Sequence, residues 1–322
     1  MKEFEDLYNE INVNEELKLA WEEAMQERKR NKKIAISIFV FIFIVITIVL
    51  LILIKKMEGL NILAIPKMLF VIFPVMFFTS IVIIVISSIF SKKYKKYAIT
   101  FKQVVIEKLI KNFYSNVEYF PNKEMPERIY DEGEYDEYYN RYYSDDYIET
   151  MINNKYNISM AEVKTVEERT ERDSNGNTRT RTYTKFHGIF AKIVIDNSIK
   201  SELRIKQNGS YSFSKNRLEM DSSEFEKYFD VSATNKIIGM QLLTADVMEE
   251  LIGFINKTNL RYDMVIKNNN IYLRFHCGTM FEPENLKKGA IDKEKIQKYF
   301  YMLNFTYNLS DKIIKLINET EI

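Results

Sequence analysis

The sequence predicts an α+β protein: an N-terminal transmembrane helical hairpin followed by a cytosolic domain with an antiparallel sheet and packed helices. Three observations predict it. Two uncharged apolar runs, Ile34 to Ile54 and Met68 to Phe90, lie in the first third of the 322 residues. After Asp146, short stretches alternate apolar and polar residues between turn dipeptides. Two later stretches, opened by Thr244 and Asp292, carry apolar residues at helical spacing.

In chain order, residues 1–33 form a charged amphipathic tail with nine acidic and seven basic residues, in which Val13, Leu17, Ala20, Trp21 and Ala24 share one helical stripe. The stripe suits packing on the protein's own domain or docking of a partner. Residues 34–90 form the expected two-helix hairpin, because runs of 21 and 23 uncharged residues reach across the roughly 30 Å of a bilayer core. Five basic residues precede it and four follow it, against three in its loop, which predicts both termini in the cytosol of a multi-pass cell-membrane protein. The runs hold no ionisable group, so they read as an anchor in the lipid bilayer and not as a transport path. Ser87-Ser88 gives faint support to packing on other helices.

Residues 91–120 follow as a juxtamembrane helix carrying Tyr97, Phe101, Val104, Val105 and Leu109, ended by Pro121 and Pro126. Residues 121–146 hold nine acidic and three basic residues interleaved with six tyrosines, and this composition predicts a solvated acidic linker, with a weak cation site or a tyrosine-bearing recognition segment as the functional alternative. Residues 147–322 form the α+β cytosolic domain. Its strands begin at Tyr156, Ile158 and Met160, and a long polar hairpin runs from Glu162 to Thr184 with Asn175-Gly176 as its turn. Core strands follow around Phe186 to Ile195, then at Leu203 and Ile205, and at Tyr211 and Phe213. Ser223 and Glu226 make a capping box for a short helix, and Thr244 caps a longer one. Two alternating strands flank Asn268-Asn269-Asn270, and a terminal helix or helix pair starts at Asp292.

Composition excludes several functions. The formal net charge of +1 gives no basic excess for nucleic acid. The nine glycines show no phosphate-loop spacing, and the single Cys277 cannot form an internal disulfide. Mean hydropathy is −0.25 despite the two apolar runs.

The stretches FKQVVIEKLIKNFYSNVEYFP from Phe101, Asp145-Asp146-Tyr147-Ile148, FHGIF from Phe186, and LEMDSSEFEKYFDVSATNKIIGMQLLTADVMEEL from Leu218 resemble a bacterial family of two-span membrane proteins, the domain of unknown function number 3137. The similarity covers roughly Tyr97 to Phe300. It implies a membrane hairpin with a cytosolic C-terminal domain, and a membrane-associated LemA-like protein as partner. It supplies no catalytic residues. Thr150 stands where many members are expected to carry Gly.

Chemistry is sparse. His187, His276 and Cys277 are the natural candidates for a base or metal set, but alternation points His276 and Cys277 to opposite faces. HExxH, CxxC and Gly-x-Ser-x-Gly are absent. No catalytic, cofactor-binding or metal-binding residue and no cofactor is assigned. The sequence therefore predicts a non-enzymatic, membrane-anchored interaction or scaffolding domain, with self-association left open. The alternatives are an enzyme using an unrecognised carboxylate or His site on a lipid or envelope substrate, and an accessory subunit of a membrane transport complex.

Overall fold

The computed structural model describes residues 1–57, 92–135, 137–172, 178–207, 216–283 and 286–320. The expected second span, Ser87-Ser88, the Asn175-Gly176 turn and the Tyr211/Phe213 strand lie outside these residues. The chain forms two units, each discontinuous in sequence. One comprises Met1–Asn12, Lys102–Pro283 and Ile291–Ile322; the other comprises Val13–Phe101 and Glu284–Ala290.

The second unit is helical. Its α2 (Glu15–Met57) is one 43-residue helix, and residues 92–101 form α3. Leu17, Ala20 and Ala24 of the predicted stripe are buried, whereas Val13 is exposed and precedes the helix. Trp21 Nε1 donates to the carbonyl of Leu286 at 3.0 Å, and Glu23 pairs with Lys93 and Lys96 at 3.0 and 3.3 Å. Within this unit the stripe packs on the protein itself.

The run Ile34 to Ile54 is not a separate span. It continues α2 beyond a charged first half, and among the described residues no helix is long and apolar enough to cross a membrane. That finding overturns the expected transmembrane hairpin, and with it the multi-pass cell-membrane location.

The first unit is α+β, as expected. Its seven-stranded antiparallel sheet has the order β1-β2-β3-β4-β6-β5, with β7 also paired to β4. The strands are β1 (Ser115–Phe120), β2 (Arg141–Ile152), β3 (Tyr156–Arg172), β4 (Thr178–Gln207), β5 (Arg217–Leu218), β6 (Phe229–Ala233) and β7 (Arg261–His276). At 30 residues, β4 organises the rest: its first part pairs with β3, its last part with β6, and β7 runs along both. The separate strands expected at Phe186 to Ile195 and at Leu203 to Ile205 are thus one, as are those flanking Asn268, which bends β7 with φ of 53°. Thr150, where the resemblance implied a glycine, lies inside β2 and donates to the Ser115 carbonyl at 2.8 Å.

Each sheet face has its own cover. On one face, α8 (Ala245–Thr258) and α9 (Lys293–Thr320) place Phe254 and Phe305 at a ring separation of 4.3 Å, against Tyr262 and Phe275. The N-terminal helix α1 (Phe4–Asn12) also reaches α9, with Phe4 and Phe300 rings 5.5 Å apart. Thr244 is the N-cap of α8 by backbone position, although its hydroxyl makes no cap hydrogen bond. Asp292 caps α9 through the Glu294 amide at 3.1 Å. For the short helix α6 (Ser223–Tyr228) the capping residue is Ser222, whose hydroxyl accepts from Phe225 N; Glu226 instead accepts from Met220 N. The remaining short helices are α4 (Glu107–Phe113), α5 (Glu127–Asp131) and α7 (Lys236–Leu242).

On the opposite face lies the segment expected to be a solvated linker. Met125, Tyr130 and Tyr147 are buried against Ala161, Val163, Phe186, Phe190, Val265 and Tyr272. A tyrosine has enough apolar ring to form a core while its hydroxyl finds a partner, so charge density misreads this segment. The segment is fastened by Arg274, which donates to both carboxylate oxygens of Glu137 at 3.0 and 2.8 Å and stacks 4.1 Å from the Tyr135 ring. Arg274 also donates to Asp263 at 2.6 Å. Burial opposes ionisation of Asp263, but His276 and Arg274 outweigh it and hold the carboxyl below its usual range.

Candidate functional site

Strand alternation would place Asp145 and Asp146 on opposite faces of β2. A β-bulge prevents that. The β2–β3 register slips between Asp145 and Ile148, and Asp146 takes a left-handed φ of 55°. Asp145 lies directly opposite Glu162, a pairing of like charges that a sheet ordinarily avoids. Carboxylate oxygens of Asp145, Asp146 and Glu162 all fall within 4.8 Å of one another. At an effective dielectric near 20, two unit charges about 5 Å apart repel by about 3 kcal/mol.

The surrounding elements answer that charge only in part. Lys102 opens a π-helical turn, Lys102–Ile106, a wider turn that buries Lys102, Val105 and Ile106 together. Its ammonium donates to Asp146 Oδ2 at 2.8 Å and pairs with Glu282 at 2.5 Å. Burial works against the Lys102 charge, but these two carboxylates keep its pKa above the ordinary value. Tyr119 of β1 donates to Asp146 Oδ1. The amides of Met280 and Phe281 donate to Glu162 Oε2 at 3.0 and 3.3 Å, and His187 Nε2 lies 3.8 Å from Glu162 Oε1.

Burial nevertheless dominates. It raises the Asp146 carboxyl to about 6 and the Glu162 carboxyl to about 7, and it raises Asp145 as well. Among the described residues, no hydrogen bond reaches the Asp145 carboxylate, which is only half-buried and forms the solvent side of the cluster. Tyr299 of α9 is 1% exposed, and its hydroxyl has no hydrogen-bond partner among the described residues. Burial raises its pKa first, and the fields of Tyr114, Asp146, Cys277 and Glu162 add to the rise.

The candidates read from the sequence do not converge. His187 shares the carboxylate face and meets Thr279 Oγ1 at 3.3 Å, with its pKa lowered by burial and by Lys164. His276 lies on the other face, 2.9 Å from Asp263. The Cys277 thiol is pushed up to about 12 by burial, so it is no nucleophile near neutral pH. Gly188 separates the two faces: a Cβ there would lie 1.8 Å from the Phe275 carbonyl oxygen. Sequence reasoning marked the acidic run that holds Asp145 and Asp146 but not their meeting with Glu162, because the three side chains share a face only through the bulge.

Two further surfaces are described. The β3–β4 hairpin continues beyond the covered sheet as a solvent-exposed ribbon. Its rungs are tied by Arg181 to Glu171 at 3.1 Å and Lys185 to Glu167 at 2.9 Å, with Arg169 over the Tyr183 ring at 5.4 Å. Between α8 and α9 runs a shallow groove of about 280 Å³, lined by Glu249, Glu250, Lys257, Tyr301 and Lys312 among others.

Comparison with known proteins adds little chemistry. The chain is 28% identical over 106 residues to the probable polyketide synthase 26 of Dictyostelium discoideum, which is 33% of this chain and 4% of that protein. The crystal structure of the mycobacterial trehalose monomycolate transport factor A, TtfA, superposes with a TM-score of 0.32 at 7% identity, covering 64% of this chain and 95% of that one. Residues 184–315, from the core part of β4 into α9, match the family model described as Protein of unknown function (DUF3137).

Proposed function

We propose that this chain is a non-enzymatic interaction domain that contacts a partner protein through the exposed β3–β4 ribbon. The ribbon itself carries the reading. Residues 168–172 and 178–184 leave the covered part of the sheet, and most of them are exposed. An isolated two-stranded ribbon is at best marginally stable in water, and this one is stiffened by the Arg181–Glu171 ion pair across its strands and a cation–π contact that no core requires. A stiff arm with both charge signs and a threonine ladder suits a polar, register-specific contact. The coiled LemA-like proteins that the family resemblance brings in are the first partner to try.

The enzymatic alternative has one observation in its favour, the Glu162 carboxyl near 7 beside His187. Against it, Asp146 is fully buried and both its oxygens are engaged by Lys102 and Tyr119.

Crosslinking with mass spectrometry on the full-length protein tests the proposal, with Arg179, Arg181 and Glu171 reversed in charge as the control. A stoichiometric partner lost on charge reversal supports the ribbon. A partner retained by that variant, or none in either protein, sinks the reading.

A further inference from the structure

The groove between α8 and α9 lies outside the ribbon and is independent of it. Asp246, Glu249, Glu250, Gly253 and Lys257 recur at helical spacing along one face of α8 and form one wall of the groove. The stacked, buried rings of Phe254 and Phe305 form its floor. Two contacts cross to the α9 wall: Lys312 Nζ meets Glu250 at 2.9 Å, and Lys257 Nζ lies 6.0 Å from the centre of the Tyr301 ring.

Gly253 sits on α8 between those two contacts. A glycine in a helix interior destabilises it relative to alanine, and close packing is the usual reason to keep one. Here a Cβ would meet nothing within 4 Å, so no neighbour requires its absence. What the missing side chain does is leave the groove open midway along its length.

The charges supply a second, independent observation. Glu250 and Lys312 answer each other, whereas no ion pair among the described residues engages Asp246, Glu249 or Lys257. The groove is therefore acidic where α8 begins and basic where it ends. At about 1.5 Å per residue, the helix sets these ends about 12–16 Å apart. An extended chain rising about 3.3 Å per residue covers that span in about four to five residues.

We propose that the groove binds an extended segment of a partner protein. A lysine or arginine of that segment meets Asp246 and Glu249, an aspartate or glutamate meets Lys257, and an apolar side chain between them enters the gap at Gly253 above Phe254 and Phe305. The charged ends fix the register, and the apolar side chain contributes the buried area.

Fluorescence anisotropy of dye-labelled pentapeptides with the full-length protein is the test. The probe is a Lys-x-x-x-Glu set with apolar middle residues, and a Gln-x-x-x-Gln set with the same middles is the uncharged comparison. The charged set is expected to bind with an apparent Kd of about 1 mM or tighter, and about fivefold or more tighter than the uncharged set. Gly253→Leu fills the gap and should weaken binding about tenfold while the melting temperature holds or rises, because leucine is the better helix former. Loss of binding together with retained stability separates occupancy of the groove from damage to the fold. Asp246→Lys combined with Glu249→Lys should turn the preference to a Glu-x-x-x-Glu set. Equal binding of the charged and uncharged sets, no binding at about 1 mM, or wild-type affinity in Gly253→Leu would overturn the proposal. So would self-association of the wild-type chain that Gly253→Leu abolishes, since a second copy would then be the occupant. Charge reversal on the ribbon should leave peptide binding unchanged, so the two surfaces fail separately.

Discussion

Lys102 and Asp146 form a buried ion pair at 2.8 Å, one partner from a π-helical turn and the other from a β-bulge, with side-chain exposures of 7% and 0%. Two irregularities in regular elements thus meet at one contact, and each is the reason the other's charge is tolerated away from water.

Lys102→Met should therefore destabilise the protein sharply. Removing one partner of a buried pair leaves the other charge uncompensated, at a cost of about 3–5 kcal/mol. The double variant Lys102→Met with Asp146→Asn should recover part of the loss. Denaturant unfolding of the single and double variants measures the coupling, and equal losses in both would refute it.

The pH dependence of stability follows from Asp146 and Glu162, whose carboxyls burial raises from the ordinary carboxylate range to about 6 and about 7. Groups with raised folded pKa values bind protons more readily in the folded state, so their contribution is complete below the unfolded values and is lost as pH rises through the folded ones. The groups facing them are Lys102, Tyr119, Asp145, His187, Cys277, Glu282 and Tyr299. The melting temperature is expected to fall by a few degrees between pH 5 and pH 8; a rise across that interval would contradict the assignment.

Arg274→Met should release the tyrosine-rich segment. The guanidinium ties the buried Asp263 of β7 to Glu137 of the segment, so its loss leaves Asp263 with His276 alone and frees Glu137, at a cost of up to about 3–5 kcal/mol for breaking a buried pair. Limited proteolysis should then cut between residues 121 and 146 before any other core segment. Unchanged protection there would show that the tyrosine rings alone hold it.

Gly188→Ala should be among the most disruptive single-methyl changes. The added carbon meets a backbone oxygen at 1.8 Å, and a carbonyl in a sheet ladder cannot move without breaking neighbouring hydrogen bonds. Overpacking typically costs about 1–3 kcal/mol, and a backbone clash lies at or above the top of that range. Thermal denaturation is the check.

The strands around Tyr156 to Met160 and Phe186 to Ile195, the helix after Thr244 and the helix after Asp292 were legible because burial on one face imprints a period on the residues. The polar hairpin was legible from its composition. The bulge at Asp146 and the π turn at Lys102 leave no such period. The tyrosine-rich segment was misread because its nine acids suggest solvation, whereas its rings decide its packing. The expected membrane hairpin rested on apolar runs, their basic flanks and the family resemblance.

By itself, then, the sequence determined the antiparallel α+β class, most of the core residues of the sheet, and the absence of known catalytic signatures, since all three depend on local pattern. Only the tertiary structure decided that Asp145, Asp146 and Glu162 meet, that His187 and His276 part, and that Tyr130 is core with Tyr135 packed against it. Those outcomes turn on a single residue of strand register and on which surface covers each face of the sheet, and neither is a property of any local stretch of chain.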